Sequence, residues 1–159
     1  MRLNHAFVAA VLMLLLTGGR GFAHCQIPCG IYDDATRFTL MSEHVTTLEK
    51  SMKQIVELSK DPAANANQLI RWVTNKDEHA NQLTEIVTYY FLAQRVKAPA
   101  KDAGDAAQKS YVKKLELLHG IIVGAMKAKQ TTDLAQIETL RTLIHDFEDV
   151  YTGEQGHSH

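Results

Sequence analysis

Apolar residues recur every three or four positions through most of the chain, the period of a helix with one buried face. Phe38, Met41, Val45, Leu48, Met52 and Ile55 form the first such stripe. Asp33 and Asp34 stand just ahead of it, where a carboxylate caps a helix that starts near Ala35. Asp61-Pro62 marks the next boundary, because proline suits a first helical turn and disfavours helix in the residue before it. A second stripe carries Leu69, Trp72, Val73, Leu83, Ile86, Val87, Tyr90 and Phe91 and stops before Pro99. Residues 97–105, with Pro99 and Gly104, read as a loop. The third stripe holds Tyr111, Leu115, Leu118, Ile122 and Ala125. Thr132-Asp133 caps the fourth, which holds Leu134, Ile137, Leu140, Ile144, Phe147 and Tyr151. Four amphipathic helices with short connections predict an all-α fold, an antiparallel up-and-down four-helix bundle over residues 33–153. Residues 154–159 are expected to be a disordered polar tail.

The start of the chain breaks this pattern. Arg2 precedes an unbroken apolar run from Ala6 to Leu16, which Thr17, Gly18 and Gly19 then interrupt. At about 1.5 Å per residue the run is too short to cross a ~30 Å hydrocarbon core. Gly21 and Ala23 place small residues three before and one before the bond that follows Ala23, the pattern a signal peptidase cuts. Residues 1–23 therefore read as a cleaved signal peptide. The expected product is exported, periplasmic or secreted, and keeps no stable membrane association after cleavage. Its first residue is His24, which gains a free α-amine beside its imidazole.

Composition narrows the picture further. A chain of 159 residues predicts one domain, and a net charge of -1 gives no footing for nucleic acid as a partner. There are two cysteines, Cys25 and Cys29. A disulfide closing so short a loop gains little chain entropy, so the pair points to chemistry before stapling.

His24 to Cys29 offers a metal an amine, an imidazole, the backbone nitrogen of Cys25 and two thiolates. Amine, amide nitrogen and thiolate on adjacent residues close five- and six-membered chelate rings. Pro28 and Gly30 allow the sharp turn that brings the Cys29 thiolate back to complete a plane. A planar N,S donor set favours nickel or copper over zinc. On the residues alone, two alternatives stay open: an exported nickel or copper carrier, and a thiol-redox protein that reversibly joins Cys25 to Cys29.

His24-Cys25-Gln26-Ile27-Pro28-Cys29-Gly30-Ile31-Tyr32 at a processed N-terminus, followed by a four-helix bundle, resembles the nickel superoxide dismutase family. The resemblance implies a nickel hook over residues 24–32, one nickel ion per subunit and a homohexamer. It implies conversion of superoxide to dioxygen and hydrogen peroxide through Ni(II)/Ni(III) cycling. By position, His24 supplies amine and axial imidazole, Cys25 amide nitrogen and thiolate, and Cys29 the second thiolate. Tyr32 guards the site. The chain departs from the family at Gln26, where an aspartate is common. The family also sets an acidic and a basic group behind the axial imidazole. Glu43 is the nearest acid here, and His79 occupies the place of the base.

Other chemistry-bearing residues read more plainly. Glu116-x-x-His119 is one unit of a di-iron motif, and no second Glu-x-x-His falls within residues 33–153 to complete it. His119 reads as a surface or interface residue, and His44 and His145 as solvated or hydrogen-bonded. His157 and His159 belong to the polar tail. Trp72, Tyr89, Tyr90 and Phe91 read as core or subunit interface.

Overall fold

A computed structural model describes residues 34–155 of the chain. Helix α1 spans Asp34–Leu58, α2 Pro62–Glu85, α3 Gly104–Gln130 and α4 Ala135–Gln155. Beyond α2, Ile86–Arg95 continues the rod in the wider π-helical winding. Each helix packs against its neighbours in the chain, and α4 closes on α1. The bundle is therefore antiparallel and up-and-down, as the four stripes predict. No described helix is long and apolar enough to cross a membrane.

Local chemistry sets the boundaries. The Ala64 N–H donates to Asp61 Oδ1 at 3.2 Å, with Pro62 in the first turn of α2. Likewise the Ala135 N–H donates to Asp133 Oδ1 at 2.9 Å ahead of α4. Gly104 opens α3 at φ 81°, a left-handed backbone that costs glycine least. The helical winding of the second segment stops at Arg95, so the connection to α3 begins at Val96 rather than at Lys97. α4 runs through Gly153 to Gln155, and residues 156–159 of the expected tail lie outside the described residues.

Phe38, Met41, Val45, Leu48 and Met52 are all buried, so the face of α1 is the one its stripe predicts. Leu83, Ile86, Val87, Tyr90 and Phe91 line the core from the second segment, and Ile137, Leu140, Ile144, Phe147 and Tyr151 from α4. The third stripe needs correction. Leu117, Leu118, Ile121, Gly124, Ala125 and Ala128 face inward, while Tyr111, Leu115 and Ile122 are only partly buried. Small residues explain the rotation. A Cβ on Gly124 would meet Leu140 Cδ2 at 2.8 Å, and one on Gly120 would meet Leu143 Cδ2 at 3.1 Å. Glycine carries no weight in a hydrophobic period, yet these glycines let the leucines of α4 press against α3.

A second correction has a geometric cause. Val73 and Leu134, expected inside, are 42 % and 38 % exposed, and Ile55 is only partly buried. The C-terminal end of α3 reaches α2 at Lys76, whose Nζ donates to the Ala128 carbonyl at 2.9 Å and also to that of Lys129. Residues 62–75 of α2 thus run past the end of α3, a length of about 21 Å. There α1 and α2 form a hairpin with fewer helices to cover it, and Val56 and Ile70 are exposed alongside Val73.

Lys76 itself is 3 % exposed. The carbonyls it holds are among the last of α3, which lack partners inside the helix. Its ammonium also lies at the negative end of the helix dipole and 3.4 Å from the Asp77 carboxylate. Lys76→Met removes the donors and leaves those carbonyls to solvent or to nothing. The expected loss is about 1–3 kcal/mol, read as a lower denaturant midpoint with unchanged helical content.

Candidate metal centre

His24, Cys25, Cys29 and Tyr32 lie outside the described residues, with Gln26, Pro28 and Gly30. The structure describes the end of the bundle from which that segment departs. Tyr32 is two residues before Asp34, so its Cα lies within about 7.6 Å of the Asp34 Cα. The segment expected to bind the metal therefore joins the bundle at Asp34.

Three residues fix Asp34. Asp34 Oδ1 accepts a short hydrogen bond from the Tyr90 hydroxyl. Asp34 Oδ2 accepts from Arg95 Nη2 at 2.6 Å and from the Tyr151 hydroxyl at 2.9 Å. Arg95 Nε in turn donates to the Tyr151 oxygen at 3.1 Å. Asp34 was expected to cap α1; instead it is the first helical residue, and its carboxylate binds three side chains from the far ends of the second and fourth segments. Beneath it the aromatic rings form a floor. Phe91 meets Phe147 edge-on at 4.9 Å and Tyr151 at 5.4 Å, and Phe38 lies 5.1 Å from Phe91. Such tilted and edge-on contacts add to the apolar area buried.

The winding of Ile86–Arg95 makes the cluster possible. In an α-helix, residues five apart point about 140° away from each other. In a π-helix they lie nearly above one another, since its hydrogen bonds run between residues five apart. The Val96 N–H donates to the Phe91 carbonyl at 2.8 Å, one such bond. Tyr90 and Arg95, five apart, can thus share a single carboxylate. An α-helical period gave no signal of this pairing, and sequence reading missed Arg95 altogether.

Electrostatics follow from the contacts. Burial alone would raise the Asp34 carboxyl, but the hydrogen bonds from Arg95, Tyr90 and Tyr151 and the guanidinium charge outweigh it and hold the group below its ordinary value. Burial and the neighbouring carboxylate push the Tyr90 hydroxyl up to about 12. Tyr151 is raised as well, by burial first and then by its bond to Asp34. Both phenols are donors at neutral pH.

The remaining candidates fall apart from one another, with one exception. His44 and His79 meet, Nδ1 to Nδ1 at 2.9 Å, across α1 and α2. One ring must donate and the other accept, so at least one imidazole is neutral. Burial, then the proximity of His79, lowers the pKa of His44. Glu43 is exposed beside them on α1. His145 is exposed and pairs with Asp149 at 3.4 Å. Glu116 and His119 are both exposed on α3. Tyr90 and Phe91 are core, Trp72 is partly buried and Tyr89 is 46 % exposed. Among the described residues, no group of three or more His, Cys, Asp or Glu side chains is arranged to hold a metal ion.

The depressed Asp34 carboxyl makes a pH prediction. Its contribution is present above the unfolded carboxylate pKa, about 3.9, and is lost as pH falls below that value through the folded pKa. Asp34→Asn should therefore cost stability at pH 7 and much less at pH 3, as read from denaturant midpoints of parent and variant at both pH values.

No curated protein and no solved structure matches the chain. The family model for nickel-containing superoxide dismutase matches residues 20–155, which covers the bundle described above and the Cys25–Cys29 segment leading into it. The chain therefore belongs to the nickel-containing superoxide dismutases, oxidoreductases whose cofactor is nickel and whose reaction is the dismutation of superoxide.

Proposed function

We propose that the nickel is held by residues 24–29 once the bond before His24 is cut, and that Tyr32 guards the mouth of that site. The spacing of donors carries the reading: an amine, an imidazole, a backbone nitrogen and two thiolates fall within residues 24–29, inside the span of the family match. Thiolate and nitrogen donors of this kind would fit nickel. Bound there, nickel would supply an electron-transfer centre cycling between Ni(II) and Ni(III). Each turnover consumes two superoxide ions and two protons and releases one O₂ and one H₂O₂.

The chain's own residues have separate tasks in this reading. His24 would give the metal its α-amine and its imidazole. Cys25 would bind through its deprotonated amide and its thiolate, and Cys29 through its thiolate. Pro28 and Gly30 shape the return of the chain. Tyr32 limits access to small molecules and offers a hydroxyl for hydrogen bonding. Arg95, Lys97 and Lys114 line a cleft of about 480 Å³ beside the Asp34 anchor, and such cations favour the approach of an anion.

Processing and assembly complete the proposal. Signal-peptide cleavage exposes the amine and delivers the protein to the periplasm or beyond the cell. Copies then assemble as a homohexamer with one nickel per subunit. The exposed Val56, Ile70 and Val73 on the α1–α2 hairpin supply apolar surface for such contacts.

N-terminal sequencing of the exported protein, with nickel analysis and a dismutation assay, tests the whole. His24 should be first, with nickel bound and superoxide consumed; nickel without turnover would mark a carrier. Placing one extra residue before His24 should reduce dismutation to background while circular dichroism stays helical. Full activity in that variant would refute the role of the free amine. Sedimentation of the mature protein should give six copies, and a monomer would remove the assembly from the proposal.

A further inference from the structure

The carboxylate of Asp34 lies two residues beyond Tyr32 and five beyond Cys29, closer in sequence to the proposed ligands than any other anchored side chain. It is bound by partners 56, 61 and 117 residues away. All of them sit at the end of the bundle where α1 begins. A short segment that would hold a metal through several donors needs a fixed root, because freedom at the root becomes freedom in the ligand geometry. The π-helical winding serves the same end. It is a less common winding than the α-helix and persists where tertiary contacts favour it. Here it brings Tyr90 and Arg95 together onto Asp34.

We infer that Asp34, Tyr90, Arg95 and Tyr151 are positioning residues for the nickel site: through the π-wound segment they fix the point at which the metal-binding hook leaves the bundle. The inference rests on the reading of residues 24–29 as the hook. None of the four residues needs to touch the metal. Their effect passes through the backbone between Tyr32 and Asp34.

The test uses the mature, nickel-loaded full chain and variants Asp34→Ala and Tyr151→Phe, with Glu49→Gln as control. Glu49 pairs with Arg141 between α1 and α4, fifteen residues further along α1, so its loss weakens the fold away from the root. Nickel affinity is measured by competition with a chelator, and the nickel environment by electron paramagnetic resonance of the oxidised form. Asp34→Ala should lower affinity about 10–100-fold and broaden or shift the resonance. It should also speed amide exchange at Val96, whose N–H closes the last π-helical bond. Tyr151→Phe keeps the ring stack and the Asp34 carboxylate but removes the hydroxyl's bonds to Asp34 and from Arg95, so it should move both nickel readouts in the same direction by less. Glu49→Gln should lower the unfolding midpoint and leave both unchanged.

Should Asp34→Ala fail to fold, Tyr151→Phe decides alone. Nickel affinity and resonance equal to the parent's in a folded variant would overturn the inference, as would an equal loss in Glu49→Gln. A parent that starts at His24 yet holds no nickel would overturn the hook reading itself, and the inference with it.

Discussion

A carboxylate at the head of α1 organises the end of this bundle. Taken out of water without partners, Asp34 would be costly to ionise, and burial by itself pushes it toward neutrality. It stays charged because Arg95 and two phenols surround it. Three of the four main segments are thereby tied at one point: the start of α1, the end of the π-wound stretch and the end of α4. Charge-assisted bonds are both stronger and more directional than the apolar contacts beneath them. The rings of Phe38, Phe91 and Phe147 are held by non-directional contacts, whereas the carboxylate ties three named donors at set distances.

The opposite end of α3 shows a different solution to a related problem. There the buried charge is positive, and its partners are the backbone carbonyls of Ala128 and Lys129 rather than an acid. Lys76 thereby sets how far α3 extends along α2. It leaves the α1–α2 hairpin running on alone, which exposes Ile70 and Val73. Asp34 and Lys76 together define the register of the bundle: one pins the helix ends where α1 begins, the other limits the overlap of α3 with α2. Between them the core is apolar and adjustable, and it tolerates close contacts such as that of Gly124 with Leu140.

The legibility of these features in the sequence follows their physics. α1 was readable because its inward positions are large and apolar at regular spacing, from Phe38 to Met52. α3 was misread by part of a turn because its closest contacts are made by Gly120 and Gly124, which a hydrophobic count ignores. The α2 stripe lost Val73 to solvent since burial there depends on where another helix ends, a fact stored in Lys76 and not in Val73. The π-wound segment left no trace at all. Tyr90 and Arg95 are five apart, and the α-helical rule separates what the actual winding unites. Asp34 was noticed and given the wrong task, because an acid ahead of an apolar run looks the same whether it caps its own helix or binds three others. The proposed metal ligands rest on a different kind of signal, a local run of adjacent donors able to chelate whatever the rest of the fold does, and they lie outside the described residues.

That division has a consequence for how such a protein is built. Under the proposed reading, the ligands come from a short segment whose N-terminal amine exists only after cleavage, so the bundle supplies none of the donors. Its part is a rigid root. A root made of apolar packing alone would adjust to each position of the hook and would transmit little constraint. A carboxylate held by a guanidinium and two phenols resists such adjustment, because moving it breaks several short bonds at once. The π-helical winding then has a reason to persist: relaxing to the α form would turn Tyr90 and Arg95 away from each other and release the head of α1. The least regular stretch of the described bundle thus stands beside the place where order in the adjoining segment matters most.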